Sequence, residues 1–483
     1  MVSIFTSLGF SIIITRNLSQ TEFGLWGALG SLIVYGMVLD PVISYWITRE
    51  TARNETSQKT AVIFNQTLSF GGIAIFVILA FLIGINEKLD YEILFLIILL
   101  IPIRYLTKIL NTLNAGWKPQ NSFYGMIISE ITKIIVGLIF IFHFQMGLAG
   151  LILTLLISYL VYVIVLTILS REKLTHTIQI EYVKKWIKNM FIPLYARLNT
   201  VVYESDKILI VVMTDSVIGV SYFVAAMIVG SLVTYSTTLS QVVYGKLLSG
   251  SKTEFLKDTL SLHFFVAIPL LAVSILFAEI GLRILNPIYE IAAIVVIVLT
   301  IRSFFQSFRS AFMHYILGSE DIDRYSVKTR QYIKSSLVYM PTLDLIQHAA
   351  YIVILYVVLS LMMEGGISDI DVALYWSVIL LVVSVPNTVY YWKLAKKKTH
   401  LGFDWKRIVK FGIIALGIFG CTYLLIPNQV SETSSFELIF KILPLILLGV
   451  GGYFVIAIIV DNKIRLLVKL IFNEISTLLQ KFK

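Results

Sequence analysis

A chain of 483 residues that is 58% hydrophobic and only 14% charged cannot be an ordinary soluble globule. Its net charge of +10 would suggest nucleic acid in a soluble protein; on so apolar a chain it reads as basic residues kept on cytoplasmic loops. One cysteine, Cys421, excludes an intrachain disulfide, and six scattered histidines offer no pair at metal-ligand spacing.

Apolar runs recur from end to end, each about the twenty residues that cross a hydrocarbon core of about 30 Å. About fourteen are predicted, near 1–15, 23–47, 60–85, 92–110, 122–142, 148–169, 190–212, 217–241, 259–283, 288–316, 337–362, 371–393, 408–426 and 438–460. The expected fold is an all-α polytopic membrane protein. The first run has no basic flank ahead and no small-residue cleavage site behind, so it is not a cleavable signal peptide. Its shortness means either a short first helix or a true start upstream of Met1, the second being favoured. In the second run Asp40 precedes Pro41, which removes a backbone donor and predicts a kink beside a buried carboxylate.

The breaks that end even-numbered runs carry most of the base, from Arg49, Arg53 and Lys59 through Arg104, Lys108 and Lys118 to Lys396, Lys397 and Lys398. The opposite breaks are short and nearly free of it. That asymmetry puts both termini in the cytoplasm. The break from Ser170 to Asn189 is longer than its neighbours, and its Tyr182–Lys188 stretch (YVKKWIK) reads as an amphipathic piece in the membrane interface, anchored by Trp186. It divides the chain into an N-lobe of six helices (1–169), a cytoplasmic amphipathic linker (170–189) and a C-lobe of six more (190–393). A basic cytoplasmic loop (394–407) follows, then two extra helices and a cytoplasmic tail (408–483). Six helices return the chain to its starting side, so the lobes form a parallel pseudo-repeat. A faint echo between the starts of the second and eighth runs supports it.

Ionisable residues inside the bilayer cost a few kcal/mol each and mark candidate sites. In the fifth run Glu130 and Lys133, at i and i+3, can satisfy each other. In the seventh, Arg197 lies about 10 Å in from the cytoplasmic end and Asp206 about 24 Å in, where Asp206 and Lys207 serve either as an interfacial anchor or in a site. Tyr235 and Thr238 share a hydroxyl-rich face of the eighth run. The tenth run is the most informative. Arg302, Ser303, Gln306, Ser307, Arg309 and Ser310 fall on one half of its helical projection, and Phe304, Phe305, Phe308 and Phe312 on the other. The polar half suits a wet or anionic neighbour, and the phenylalanines suit lipid or packing.

Three stretches carry a family resemblance: Thr15 to Trp26 (TRNLSQTEFGLW), Thr48 to Arg53 (TRETAR), and Glu204 to Ala226 (ESDKILI then IGVSYFVAA). Over nearly its whole length the chain resembles the multidrug/oligosaccharidyl-lipid/polysaccharide (MOP) exporter superfamily, in its O-antigen-type polysaccharide flippase branch. The resemblance implies a transporter, not an enzyme. It departs from the family in an extra residue at the Gly219–Tyr222 step, and in Asp40-Pro41 where small residues are usual. Outer loops of about five to eleven residues are too short for the catalytic domain of a glycan polymerase or ligase. No P-loop is present.

Intramembrane bases outnumber unpaired acids. Guanidinium forks match phosphate oxygens, which favours a flippase for a lipid-linked oligosaccharide over a cation-coupled multidrug antiporter of the same superfamily. The expected headgroup-binding residues are Arg302, Arg197, Arg309, Arg16 and Lys207. Arg16 is expected near the outward mouth, with the resemblance as the guide. The polar lining is expected from Ser303, Gln306, Ser307, Ser310, Tyr235 and Thr238, and ion coupling from Asp40 or Asp206. No cofactor, metal or nucleic acid is expected. The implied partners are the lipid-linked substrate, membrane lipids and other glycan-assembly proteins, around a monomer in the cell membrane.

Overall fold

The computed structural model describes residues 2–84, 90–237, 240, 256–319, 335–363, 365–399, 401–426 and 435–466. The chain is all-helical across them, and ten helices are long and apolar enough to span a membrane, or eleven when one bent pair counts as one span. The other expected runs appear as shorter helices. By contact, the chain separates into unit 1, residues 1–224 with 341–373, and unit 2, residues 225–340 with 374–483. The six-plus-six division along the chain remains a proposal about its internal repeat.

Unit 1 begins with α1 (Val2–Asn17) and α2 (Gln20–Gly36), joined by a turn of two residues. Ser19 accepts from the Glu22 amide (3.2 Å), and Glu22 accepts from the Ser19 amide (2.9 Å), a reciprocal cap that fixes the start of α2. The second oxygen of Glu22 accepts from the Leu148 amide at 3.0 Å. After α2 the chain bends by 68° into α3 (Pro41–Ala52). The bend falls where Pro41 withholds an amide donor. The Gly36 carbonyl at the bend is taken by the Tyr105 hydroxyl at 2.9 Å. Gly72 lets the backbones meet there, since a Cβ on it would lie 2.1 Å from the Gly36 oxygen.

Next come α4 (Gln58–Ile83), α5 (Tyr91–Trp117), α6 (Pro119–Gly137, continued by a π-helical turn to His143) and α7 (Gly147–Leu169). The expected Glu130–Lys133 pair forms at 2.6 Å. Two expectations need correcting. The run predicted to end near 110 continues unbroken to Trp117, so Arg104 and Lys108 lie within α5 and not in a cytoplasmic break. Trp186 is not an interfacial anchor. On α8 (Ile180–Lys188) it is 1% exposed among Ile47, Ile109 and Leu166, and its indole donates to Glu50 at 3.2 Å. The exposed apolar side of α8 is carried by Ile180 and Ile187 instead. Lys185 pairs with the same Glu50 at 2.8 Å. Burial alone would lower the Lys185 ammonium, but that hydrogen bond and charge outweigh it and hold it above its ordinary value.

The seventh run is two helices, α9 (Phe191–Tyr203) and α10 (Ser205–Thr214), interrupted at Glu204, and the eighth opens with α11 (Val217–Gly230). Unit 2 holds α12 (Leu256–Leu276), α13 (Ala278–Leu285) and α14 (Ala293–Gly318). The helices α15 (Ser336–Met363) and α16 (Asp369–Thr399) each pass from one unit to the other. The last two, α17 (Trp405–Leu424) and α18 (Ser435–Val460), pack with α12. Tyr453 stacks on Phe265 and donates to its carbonyl at 2.9 Å. Arg407 grips Asp461 with two hydrogen bonds, at 2.8 and 3.0 Å. Burial would raise that carboxyl, but the guanidinium holds it below the usual carboxylate range.

Candidate anion site

Inside unit 1 a cavity of about 440 Å³ is bounded by the α2–α3 bend, α5 and α9. Three bases line it: Arg104 and Lys108 from α5, and Arg197 from α9. One carboxylate, Asp40, joins them at the bend, with the hydroxyls of Ser44, Tyr45 and Thr48. Local sequence accounts for the placement. Arg104 stands about 20 Å along α5 from its Tyr91 end, near the helix midpoint, and Lys108 follows one turn later on the same face. Arg197 lies about 9 Å from the start of α9.

The electrostatics are lopsided. Among the described residues, Arg104, Lys108 and Arg197 make no ion pair, and Arg197 Nε is buried without a hydrogen-bond partner. Arg104 does face the ring of Tyr159, at 6.0 Å from its centre. Asp40 is 3% exposed and already accepts from Ser44 (2.9 Å) and Asn65 (3.3 Å). Elsewhere in unit 1 three acids are paired with bases: Glu50 with Lys185, Glu130 with Lys133, and Glu204 with Lys207, which Asp206 shares. The cavity lining itself carries a surplus of positive charge, three bases against one carboxylate. Fixed guanidinium and ammonium donors around a partly dry opening are suited to a phosphate or carboxylate.

The other expected site residues fall elsewhere. Lys207 and Asp206 are 8% and 1% exposed, so they are not interfacial anchors. Lys207 bridges Glu204 (2.8 Å) and Asp206 (3.6 Å), while Ser31 donates to Glu204 and Tyr351 to Asp206. Arg16 is partly buried at the end of α1. In unit 2, Arg302, Gln306, Arg309 and Ser310 are partly buried along α14, and Arg309 lies over the ring of Tyr391 at 5.7 Å. Ser303 and Ser307 are 3% and 0% exposed, and Ser307 bonds His263 at 3.1 Å, so both belong to helix packing within unit 2. Of the phenylalanines of α14, Phe304 and Phe308 take part in packing, against Phe264. Tyr235 is exposed in a 3-10 stretch, Leu232–Thr237, and Thr238 lies outside the described residues.

Arg104 and Lys108 are the site residues that reading the sequence missed. The available signal was the spacing of Arg104, Lys108 and Asn111, at i, i+4 and i+7 on one helical face with no breaker before Gly116.

No protein-family model and no curated protein matches the chain. Solved structures do. A lipid II flippase, MurJ, in an inward closed conformation is similar over 95% of this chain and 97% of its own, with a TM-score of 0.63 and 17% identity. An inward-facing multidrug resistance MATE family transporter of the MOP superfamily is similar over 83% of this chain and 96% of its own, with a TM-score of 0.58 and 13% identity. A MOP superfamily transporter from Pyrococcus furiosus covers 83% and 92%, with a TM-score of 0.53 and 12% identity. The fold of this polytopic chain is the one that these flippase and transporter structures share.

Proposed function

We propose that the protein is a flippase that carries a lipid-linked oligosaccharide, joined through phosphate or diphosphate to a polyprenyl or dolichyl carrier, from the cytoplasmic to the outer leaflet of the cell membrane by alternating access. The observation that carries this reading is the cavity with three bases and one carboxylate. Arg104, Lys108 and Arg197 bind the anionic headgroup there. Charge-assisted hydrogen bonds of this kind contribute about 1.5–3 kcal/mol each. Arg302 and Arg309 on α14, and Arg16 at the end of α1, are proposed as further headgroup contacts in the cycle. The sugars meet hydroxyls and aromatic rings, and the carrier tail stays in lipid. Lys207 is left out of the set, because two carboxylates already neutralise it.

Moving an anion outward is downhill with the interior negative. Each negative charge gains about 2.3 kcal/mol per 100 mV, and a dianion about twice that. The fold's resemblance to a lipid II flippase supports the substrate class. The test is translocation of a fluorescent polyprenyl-diphosphate sugar in proteoliposomes. Wild type should move it, Arg104→Gln/Arg197→Gln should not, and equal rates would remove the cationic cavity from the mechanism.

A second reading, a cation-coupled multidrug antiporter, is favoured by Asp40 in the same cavity and by the likeness to MATE transporters. It requires binding of a cationic drug that Asp40→Asn abolishes. Failure of both would set it aside.

A further inference from the structure

A second chamber, of about 290 Å³, adjoins the first in unit 1, and Met37, Arg104 and Lys108 line both. It is built from α5, α6 and α7, and its chemistry differs from that of the first. Thr107, Asn111, Ser129, Glu130, Tyr159 and Tyr162 supply hydroxyls, an amide, a carboxylate and two phenol rings. Its acid brings no unbalanced charge, since Glu130 is paired with Lys133 at 2.6 Å and accepts from Thr6 at 3.0 Å. Its neutral groups are not all satisfied. Thr107 Oγ1 is buried with no hydrogen-bond partner among the described residues, and such a group costs free energy until a ligand or water meets it. Tyr162 donates to the Asn111 side-chain oxygen at 3.0 Å, and the Asn111 amide NH₂ makes no hydrogen bond among the described residues.

Hydroxyl, amide and carboxylate groups set around two rings fit a compact polyol with C–H faces to stack, and they fit an apolar drug poorly. The volume lies near the lower end of small-ligand cavities, about 300 Å³, which suits one sugar better than a chain of them. The shared lining fixes which sugar. A ligand whose phosphate sits on Arg104 and Lys108 places its nearest substituent in the adjoining chamber. The geometry points to the α5–α6–α7 chamber as the subsite for the phosphate-proximal pyranose of the lipid-linked glycan, recognised through Thr107, Asn111 and Tyr159. This rests on the flippase reading and deepens it, because selectivity for the first sugar then resides in unit 1.

The test uses the full chain in nanodiscs with two probes, geranylgeranyl diphosphate and geranylgeranyl-diphospho-N-acetylglucosamine, and compares wild type with Thr107→Val/Tyr159→Phe. These substitutions remove two hydroxyls and keep shape, and an unchanged melting temperature verifies folding. Wild type should bind the glycosylated probe more tightly than the bare diphosphate. The double variant should bind the glycosylated probe about tenfold more weakly and the bare diphosphate as before. Equal loss for both probes, no loss for either, or no preference for the sugar in wild type overturns the subsite while leaving the flippase reading standing. Binding of a soluble nucleotide sugar as tight as that of the glycosylated lipid overturns the lipid-linked assignment. Binding of neither probe by wild type overturns the flippase reading, and the subsite with it.

Discussion

Unit 1 contains two groups of buried charge that look alike in sequence and differ in structure. On α10 and just before it, Glu204 and Asp206 share and compensate Lys207, and Ser31 and Tyr351 add hydrogen bonds to the two carboxylates. At the α2–α3 bend, Arg104, Lys108 and Arg197 face a cavity with only Asp40 among them. The base of the first group is already shared by two carboxylates and has little left to offer an anion. The second keeps uncompensated charge where an anion can reach it. Whether each base has a carboxylate partner, rather than depth in the membrane, is what distinguishes the two groups.

That contrast can be broken by mutation. The largest effect expected is on stability, from Lys207→Met. It strands two carboxylates in a dry site and should cost about 3–5 kcal/mol, read as a lower unfolding temperature in detergent. An unchanged temperature would mean that the cluster is not structural. Arg104→Gln/Arg197→Gln should behave in the opposite way. It should leave the unfolding temperature unchanged or raise it, while weakening binding of a polyprenyl diphosphate by about 100-fold, measured by titration in nanodiscs.

A smaller effect is expected at the clip between α17 and the end of α18. The Asp461 carboxyl is held below its ordinary value when folded, so its contribution is complete above about pH 4 and is lost as pH falls through the folded value. Asp461→Asn should lose about 2 kcal/mol at neutral pH, less than a fully dry pair would, and should flatten the acid side of the unfolding profile. An acid limb identical to that of wild type would contradict the assignment. The smallest expected effect is Trp186→Phe, which removes one hydrogen bond to Glu50 and should cost about 1 kcal/mol without releasing α8 from the protein. Rapid proteolysis between Ser170 and Asn189 in that variant would show that the linker depends on the indole more than one bond allows.

The helices were legible because lipid imposes them. A run such as Gly147–Leu169, with no charge in it, has few alternatives to a membrane-spanning helix. The bend at Asp40-Pro41 was legible too, because a missing amide donor is a local fact. So was Glu130–Lys133, a pair one helical turn apart. What the sequence hid was where charge would be neutralised. Lys207 looked like a base for a headgroup, and only its folded neighbours reveal that it is closed off. Arg104 and Lys108 looked like the end of a span, because hydropathy falls at a charge whether or not the helix stops. Trp186 looked like a lipid anchor, since its partner Glu50 is 136 residues away in the chain. Amphipathicity identifies an apolar face without saying whether protein or lipid covers it.

The central claim is that the uncompensated bases of unit 1 hold the anionic headgroup of a lipid-linked glycan. Native mass spectrometry of lipids that co-purify with wild type and with Arg104→Gln/Arg197→Gln tests it most directly. The account predicts a polyprenyl- or dolichyl-phosphate glycan on wild type and its loss from the variant, with bulk phospholipid unchanged. A lipid-linked glycan retained at full occupancy by the variant, or only bulk phospholipid on both proteins, would contradict it.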